Sequence, residues 1–259
     1  MKNIKMVFFD IDGTLVPFDK EDISDKSVFA LKKLQENGIK ICVATGRSPF
    51  QLPKFRGLSF DIYLNFNGSL IFNESEDIFK NPLSKKDIYR LLENGKEMDK
   101  PLAIATRDFY ACNGINSDLK EYFSFGGNQP EIYENFENII ENEDIFQAIL
   151  PIKNEEYEKA MKNVSDTKIA AWWDRAVDLI PKNGGKGRAI EKVLSFYKVK
   201  KEECMAFGDG NNDLEMFESV KYGICMENGS DDLKNISYDV CKSVDDDGVY
   251  YYLKEKGLI

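Results

Sequence analysis

Asp10 and Asp12 stand two residues apart in Asp10-Ile11-Asp12-Gly13-Thr14, directly after the apolar run Met6-Val7-Phe8-Phe9. With that run as a strand, both carboxylates leave the sheet toward roughly the same side, where they repel each other unless a cation is bound. All-oxygen ligation of this kind suits Mg²⁺. A second acidic cluster, Gly208-Asp209-Gly210-Asn211-Asn212-Asp213, again falls between an apolar run and a helical pattern. Asp209 can reach a metal at the strand end there, while Asn212 and Asp213 open a helix whose N-terminus favours anions. The cluster is not an EF-hand, because counting from Asp209 puts Leu214 where glycine is needed and Val220 where the bidentate glutamate belongs.

Two further strand-end segments carry complementary groups. Lys186 lies in Asn183-Gly184-Gly185-Lys186-Gly187 ahead of a helical pattern, and a fixed ammonium there offsets phosphate and carboxylate charge. It is not a P-loop lysine, since Gly187 replaces the required Ser or Thr and Ile180 replaces a required glycine. Thr45-Gly46-Arg47 supplies a hydroxyl and backbone N–H groups suited to a phosphate oxygen. The chain contains no histidine. That excludes Ser-His-Asp and Cys-His nucleophilic catalysis, H-E-x-x-H zinc sites and His-ligated haem, and leaves acid/base work to carboxylates, lysine, tyrosine or cysteine.

These segments need a scaffold that ends its strands on one side. Strands are expected over 4–9, 39–44, 61–64, 204–207 and 222–226, and helices from Ser24 toward Gly38, over 187–197, over 212–217 and at Tyr250-Tyr251-Tyr252. Asn65-Phe66-Asn67-Gly68 reads as a hairpin turn. Alternation of strand and helix implies an α/β fold with a Rossmann-like parallel sheet covered on both faces, whose ligands sit outside the carboxyl ends of the strands. Between Pro82 and Lys182 the rhythm changes to alternating helix and strand candidates, broken at Gly126-Gly127-Asn128-Gln129-Pro130. The expected organisation is a discontinuous core of 1–81 and 183–259, with 82–182 an inserted α+β domain.

The 259 residues include 45 acidic and 35 basic side chains, a formal charge of −10. An acidic balance argues against nucleic-acid partners. The stretch from Pro130 to Glu158 alone holds nine acidic residues and one lysine, which reads as a solvated face. The N-terminal apolar run is too short for a signal-peptide core and no stretch approaches a membrane span, so a cytoplasmic location without membrane partners is expected. Five scattered cysteines, Cys42, Cys112, Cys204, Cys225 and Cys241, with no C-x-x-C pair, read as reduced core residues.

Taken together, Asp10-Ile11-Asp12-Gly13-Thr14-Leu15, Ala44-Thr45-Gly46-Arg47, Lys186-Gly187-Arg188-Ala189, Gly208 to Met216 and Asp246-Asp247-Gly248-Val249 resemble the haloacid dehalogenase superfamily of phosphatases, in its Cof-like group with a type II cap. The segments occur in the family's order across nearly the whole chain. Met226-Glu227-Asn228-Gly229 departs from it in having glycine where alanine is more usual. By this resemblance Asp10 is the nucleophile that forms an aspartyl-phosphate, and Asp12 the general acid and then base. Mg²⁺ is held by Asp10, Asp209 and the backbone carbonyl of Asp12. Ile11 (backbone), Thr45, Gly46, Lys186 and Asn212 contact phosphate, and Asp213 orients Lys186 or a metal-bound water, with Arg47 also in a supporting place. In the cap, Tyr110, Asn113, Trp172, Trp173, Asp174 and Arg175 are candidates for reading the organic group. The implied activity is hydrolysis of a small phosphorylated metabolite, such as a sugar phosphate, by a monomer or small homo-oligomer. The alternatives are a phosphomannomutase-like phosphosugar transferase and, from another class, a phospho-receiver signalling domain, which leaves Asp12 and the inserted domain without a role.

Overall fold

The protein, described here from a computed structural model over residues 3–171 and 173–259, separates into two compact units. One comprises Met1–Arg47, Leu52–Lys80 and Gly185–Ile259; the other comprises Ser48–Gln51 and Asn81–Gly184. Trp172 lies outside the described residues.

The first unit begins with β1 (Met6–Phe9), α1 (Asp25–Glu36), β2 (Lys40–Ala44), β3 (Ile62–Asn65), β4 (Leu70–Phe72) and β5 (Asp77–Lys80). The second unit follows with α2 (Lys85–Glu97), β6 (Ala103–Ala105), β7 (Tyr110–Cys112), α3 (Ser117–Phe125), α4 (Phe136–Asn142), β8 (Gln147–Leu150), α5 (Tyr157–Ala160), β9 (Thr167–Ala170) and β10 (Val177–Pro181). The chain then returns to the first with α6 (Lys186–Tyr197), β11 (Cys204–Gly208), α7 (Leu214–Glu218), β12 (Tyr222–Met226), α8 (Asp231–Ile236), β13 (Asp239–Cys241) and α9 (Gly248–Glu255).

Among the described residues, the first unit holds an eight-stranded sheet in the order β13-β12-β11-β1-β2-β3-β4-β5. From β13 to β3 neighbours are parallel, with Val7 of central β1 in register with Met205 and Ile41. The β3–β4 and β4–β5 pairs are antiparallel, because the turn after Asn65 is too short for a parallel crossover. Strand periodicity explains why β1 is apolar throughout. Val7 and Phe9 pack with Leu31 and Leu34 of α1 and Leu253 of α9, whereas Met6 and Phe8 pack with Ile190 and Val193 of α6, Phe217 of α7 and Leu233 of α8. Phe9 and Phe207 stack at 5.4 Å, one residue before Asp10 and two before Asp209. Truncating either to alanine costs about 3–5 kcal/mol.

Ser24 caps α1 as expected, accepting from the Ser27 N–H at 3.1 Å. Its hydroxyl also donates to Asp247 Oδ1 at 2.6 Å, and Lys26 Nζ reaches Asp247 Oδ2 at 2.9 Å. The Asp246-Asp247-Gly248-Val249 segment therefore ties the start of α9 to the start of α1.

In the second unit the sheet order is β7-β6-β8-β10-β9, and every neighbouring pair is antiparallel. Simple alternation of helix and strand does not hold there: β6–β7 and β9–β10 are hairpins, and α3 and α4 follow one another. Three-residue strands such as Ala103–Ala105 are too short to show a period of two. One sheet face packs Ile104, Ala148 and Leu179 against Ile88 and Leu91 of α2; the other packs Ala103 and Ile149 against Leu119 and Phe123 of α3. Asp87 of α2 is fully buried. Its carboxylate accepts from the Ser165 N–H at 3.1 Å, the Asp166 N–H at 2.7 Å and the Thr167 hydroxyl at 2.8 Å, which fastens α2 to the start of β9. All five cysteines are buried and unpaired. Among the described residues, no helix is long and apolar enough to cross a membrane.

Candidate active site

Parallel strands β1, β2 and β11 all end at the same edge of the first unit, and each hands a polar segment to it. Asp10 follows β1 with its backbone N–H still in the ladder, donating to Phe207 O at 3.0 Å, and its side chain is almost fully withdrawn from water. Lys186, the first residue of α6, is wholly buried as well. Its ammonium donates to Asp10 Oδ1 at 2.5 Å and to Asp213 Oδ1 at 2.6 Å. The other Asp213 oxygen accepts from the backbone N–H groups of Asp209 at 3.0 Å and Gly210 at 3.1 Å. Both oxygens of Asp213 are thus engaged, one shaping the loop after β11 and one orienting Lys186.

Asp209 completes the cluster. Carboxylate oxygens of Asp10, Asp209 and Asp213 all lie within 4.8 Å of one another. Thr14 Oγ1 donates to Asp209 Oδ1 at 3.2 Å. Gly13 has φ +79°, and a Cβ there would sit 2.2 Å from Asp209 Oδ2, so only glycine lets the two loops approach this closely. With all three carboxylates ionised, a single ammonium leaves two negative charges uncompensated. Burial, with Asp213 adding to it against the Thr14 hydroxyl and Lys186, pushes the Asp209 carboxyl up to about 7. Burial likewise raises Asp10 well above the usual carboxylate range, opposed by Lys186 and reinforced by Asp213 and Asp209. Burial also opposes the Lys186 charge, but Asp10 and Asp213 hold the ammonium above the ordinary lysine range. An excess of buried carboxylate oxygen of this kind fits a hard divalent cation.

Asp12 is paired with Arg47, which follows the end of β2. Arg47 Nε donates to Asp12 Oδ2 at 3.0 Å and Nη2 to Oδ1 at 2.6 Å, a two-point fork. Thr45 is buried, its Oγ1 accepting the Arg47 N–H at 3.1 Å. Gly46 faces the side-chain amide of Asn67, 3.3 Å from where a Cβ would stand. Asn212 is exposed in the short 3₁₀ turn Asn211–Asp213 before α7, and Ile11 is buried behind Asp10. Asp10, Lys186, Asp209 and Asp213 are therefore in direct mutual reach, and Asp12 is linked to the second strand end by Arg47.

The candidates in the second unit are engaged within it. Tyr110 Oη donates to Gln51 Oε1 at 2.6 Å and its ring packs edge-on to Phe50 and Phe123. Asn113 Oδ1 accepts the Leu102 N–H at 2.7 Å, holding the β6–β7 hairpin. Arg175 stacks on Trp173 at 4.4 Å and pairs with Asp118 and Glu121, while Asp174 is exposed.

Three residues that the motifs did not single out support the loops. Asn228 donates to Gly13 O at 2.8 Å and accepts from the Val244 N–H at 3.0 Å. Asn65, fully buried, donates to Arg47 O at 2.9 Å. The Asn67 N–H donates to Thr45 O at 2.9 Å. Asn67-Gly68 had a visible signal as a turn, but only the fold shows what that turn holds.

Along nearly its whole length the chain is similar to known proteins. A model of the haloacid dehalogenase-like hydrolase family matches residues 7–253. "Putative phosphatase YkrA" of Bacillus subtilis (strain 168) is 34% identical over 265 residues, covering 98% of both chains. The 5-amino-6-(5-phospho-D-ribitylamino)uracil phosphatase YitU of the same organism is 26% identical over 96% of both. Among solved structures, the subclass IIB sugar phosphatase BT4131 superposes with a TM-score of 0.85 at 27% identity, covering 98% of this chain and 100% of its own. The chain belongs to the haloacid dehalogenase-like hydrolases and, within them, to the Cof-like phosphatases, enzymes that act on phosphate esters.

Proposed function

We propose that the protein is a Mg²⁺-dependent phosphatase of small phosphorylated metabolites, sugar phosphates or similar compounds, working through an aspartyl-phosphate on Asp10. The observation that carries this reading is the buried Lys186 ammonium bridging Asp10 and Asp213 beside Asp209 at the strand ends.

In the first half-reaction a carboxylate oxygen of Asp10 forms a bond to phosphorus as the bond to the leaving oxygen breaks, and the electron pair departs with that oxygen. The Asp12 carboxyl gives the leaving oxygen its proton. In the second, water adds to phosphorus, Asp12 takes up the water proton, and the electron pair of the Asp10–phosphorus bond returns to the carboxylate. Lys186, the Thr45 hydroxyl, the Gly46 N–H, the Ile11 backbone and the Asn212 side chain hold the phosphate oxygens. Asp213 keeps Lys186 aimed. Asp10, Asp209 and the Asp12 carbonyl would hold the metal ion, which supplies positive charge where an anionic substrate must meet an anionic nucleophile.

The inserted unit is assigned the choice of organic group. Relatives whose names carry a phosphorylated ribityl compound or a sugar phosphatase support a polyhydroxylated substrate. Five buried thiols support a reducing, cytoplasmic setting. The test is phosphate release from p-nitrophenyl phosphate and from a panel of sugar phosphates, pyridoxal phosphate and flavin mononucleotide, with Mg²⁺ and with EDTA. Asp10→Asn abolishes Mg²⁺-dependent release; turnover retained in that variant rejects the nucleophile assignment.

A further inference from the structure

We propose that Arg47 is a positioning residue for Asp12: its guanidinium fork fixes the place and plane of the carboxyl group that carries the proton. The proposal rests on the reading of Asp12 as proton carrier. Asp12 lies on the loop after β1 with its side chain 39% exposed, and proton transfer requires its oxygen within about 3 Å of the leaving atom. Two hydrogen bonds, at 3.0 and 2.6 Å to different oxygens, supply what burial does not. A lysine reaches one oxygen at a time and sets no plane.

Arg47 is itself held from behind. Its N–H donates to Thr45 Oγ1 at 3.1 Å, and its carbonyl accepts from Phe66 N at 3.1 Å and Asn65 Nδ2 at 2.9 Å. The turn that provides these donors places two successive non-glycine residues in the left-handed region, Phe66 at φ 51° and Asn67 at φ 52°. Such a residue is strained and persists only where its surroundings impose it. The bonds to Thr45 O and Arg47 O are what impose it here. Support thus runs from the turn after β3 through the Arg47 backbone and guanidinium to the Asp12 carboxylate, across a span of sequence that no local motif covers.

A guanidinium that bound phosphate directly would slow every substrate alike. A guanidinium that positions the proton carrier slows only those whose leaving oxygen needs a proton. The experiment compares kcat/KM, which reports the steps up to aspartyl-phosphate formation, for the best sugar phosphate of the panel and for p-nitrophenyl phosphate, whose leaving group departs as a stable anion. Asp12→Ala sets the reference pattern. Arg47→Ala is expected to lower kcat/KM on the sugar phosphate about 10²-fold and to cost at least tenfold less on p-nitrophenyl phosphate, with Arg47→Lys intermediate. Equal losses on both substrates, or losses below about threefold on the sugar phosphate, overturn the proposal. If Asp12→Ala itself affects both substrates equally, the proton-carrier reading fails and the positioning role with it, while the Asp10 assignment stands on its own test. Unchanged urea midpoints for the Arg47 variants confirm that the losses are not of folding.

Discussion

Asp87 in the second unit and Asp10 and Asp209 in the first are carboxylates wholly or partly withdrawn from water, yet their surroundings act in opposite directions. Burial works against the Asp87 charge, but the Ser165 N–H, the Thr167 hydroxyl, the Asp166 N–H and the Ser165 hydroxyl outweigh it and hold the carboxyl below the usual range. Around Asp10 and Asp209 too few donors face too many oxygens, and both are pushed up. A carboxylate that only joins elements is saturated by donors from its own unit. Asp10 and Asp209, in the proposed active site, are left short of them, at a cost in stability.

The contrast is open to direct attack. Replacing Lys186 by Met strands two buried carboxylates, so in EDTA the protein is expected to lose about 3–5 kcal/mol of stability by urea unfolding. Phosphate release falls about 10³-fold in the same variant; unchanged stability would show that the cluster is not truly buried. Asp87→Ala orphans several buried donors and is expected to cost about 2–4 kcal/mol while phosphate release per folded molecule from p-nitrophenyl phosphate stays the same. A loss of activity in the folded variant would blur the division between the two sites.

Asp209→Asn works the other way. Removing one like charge is expected to stabilise the metal-free protein by about 1 kcal/mol or more at pH 8, and to abolish the rise in melting temperature expected of the parent protein with Mg²⁺. A destabilised Asp209→Asn protein in EDTA would contradict the charge excess. The smallest effects are in pH. Asp209 titrates at about 7 when folded and about 3.9 when unfolded. The unfolded chain releases its proton first, and metal-free stability falls as pH rises across that window. Asp87 has its folded value lowered, so its contribution is present above about pH 3.9 and is lost as pH falls through the folded value. Urea midpoints over pH 3–8 should show Asp209→Asn flattening the decline on the neutral side and Asp87→Asn flattening the acid limb.

The same contrast explains which residues were legible from sequence. Asp10, Lys186, Asp209 and Asp213 stand out because chemistry demands those types at strand ends, next to glycines that let loops approach. Asp87 carries no such signature: its donors, Ser165 to Thr167, are some eighty residues away and are ordinary polar residues. The Arg47–Asp12 fork joins two segments that were each readable, but their pairing depends on parallel β1 and β2 ending together. Asn228 was noticed only for the glycine after it, because a bond to a backbone carbonyl leaves no pattern in side-chain types. In the second unit the hairpins were hidden by brevity, since Tyr110–Cys112 is too short to alternate visibly.

The central place of β1 has a consequence for how the protein is made. Met6 pairs with Lys40 on one side and with Cys204 on the other. On a ribosome adding about 5–20 residues per second, the interval between these two partners is roughly 8–33 s. Through that time a β1 that has paired only with β2 has one edge bare, a template for wrong pairing. Nearly all of the second unit, continuous from Asn81 to Gly184, emerges during the wait. Lys186, Asp209 and Asp213 come last, so Asp10 meets its ammonium partner and its acidic neighbours only when synthesis is nearly complete.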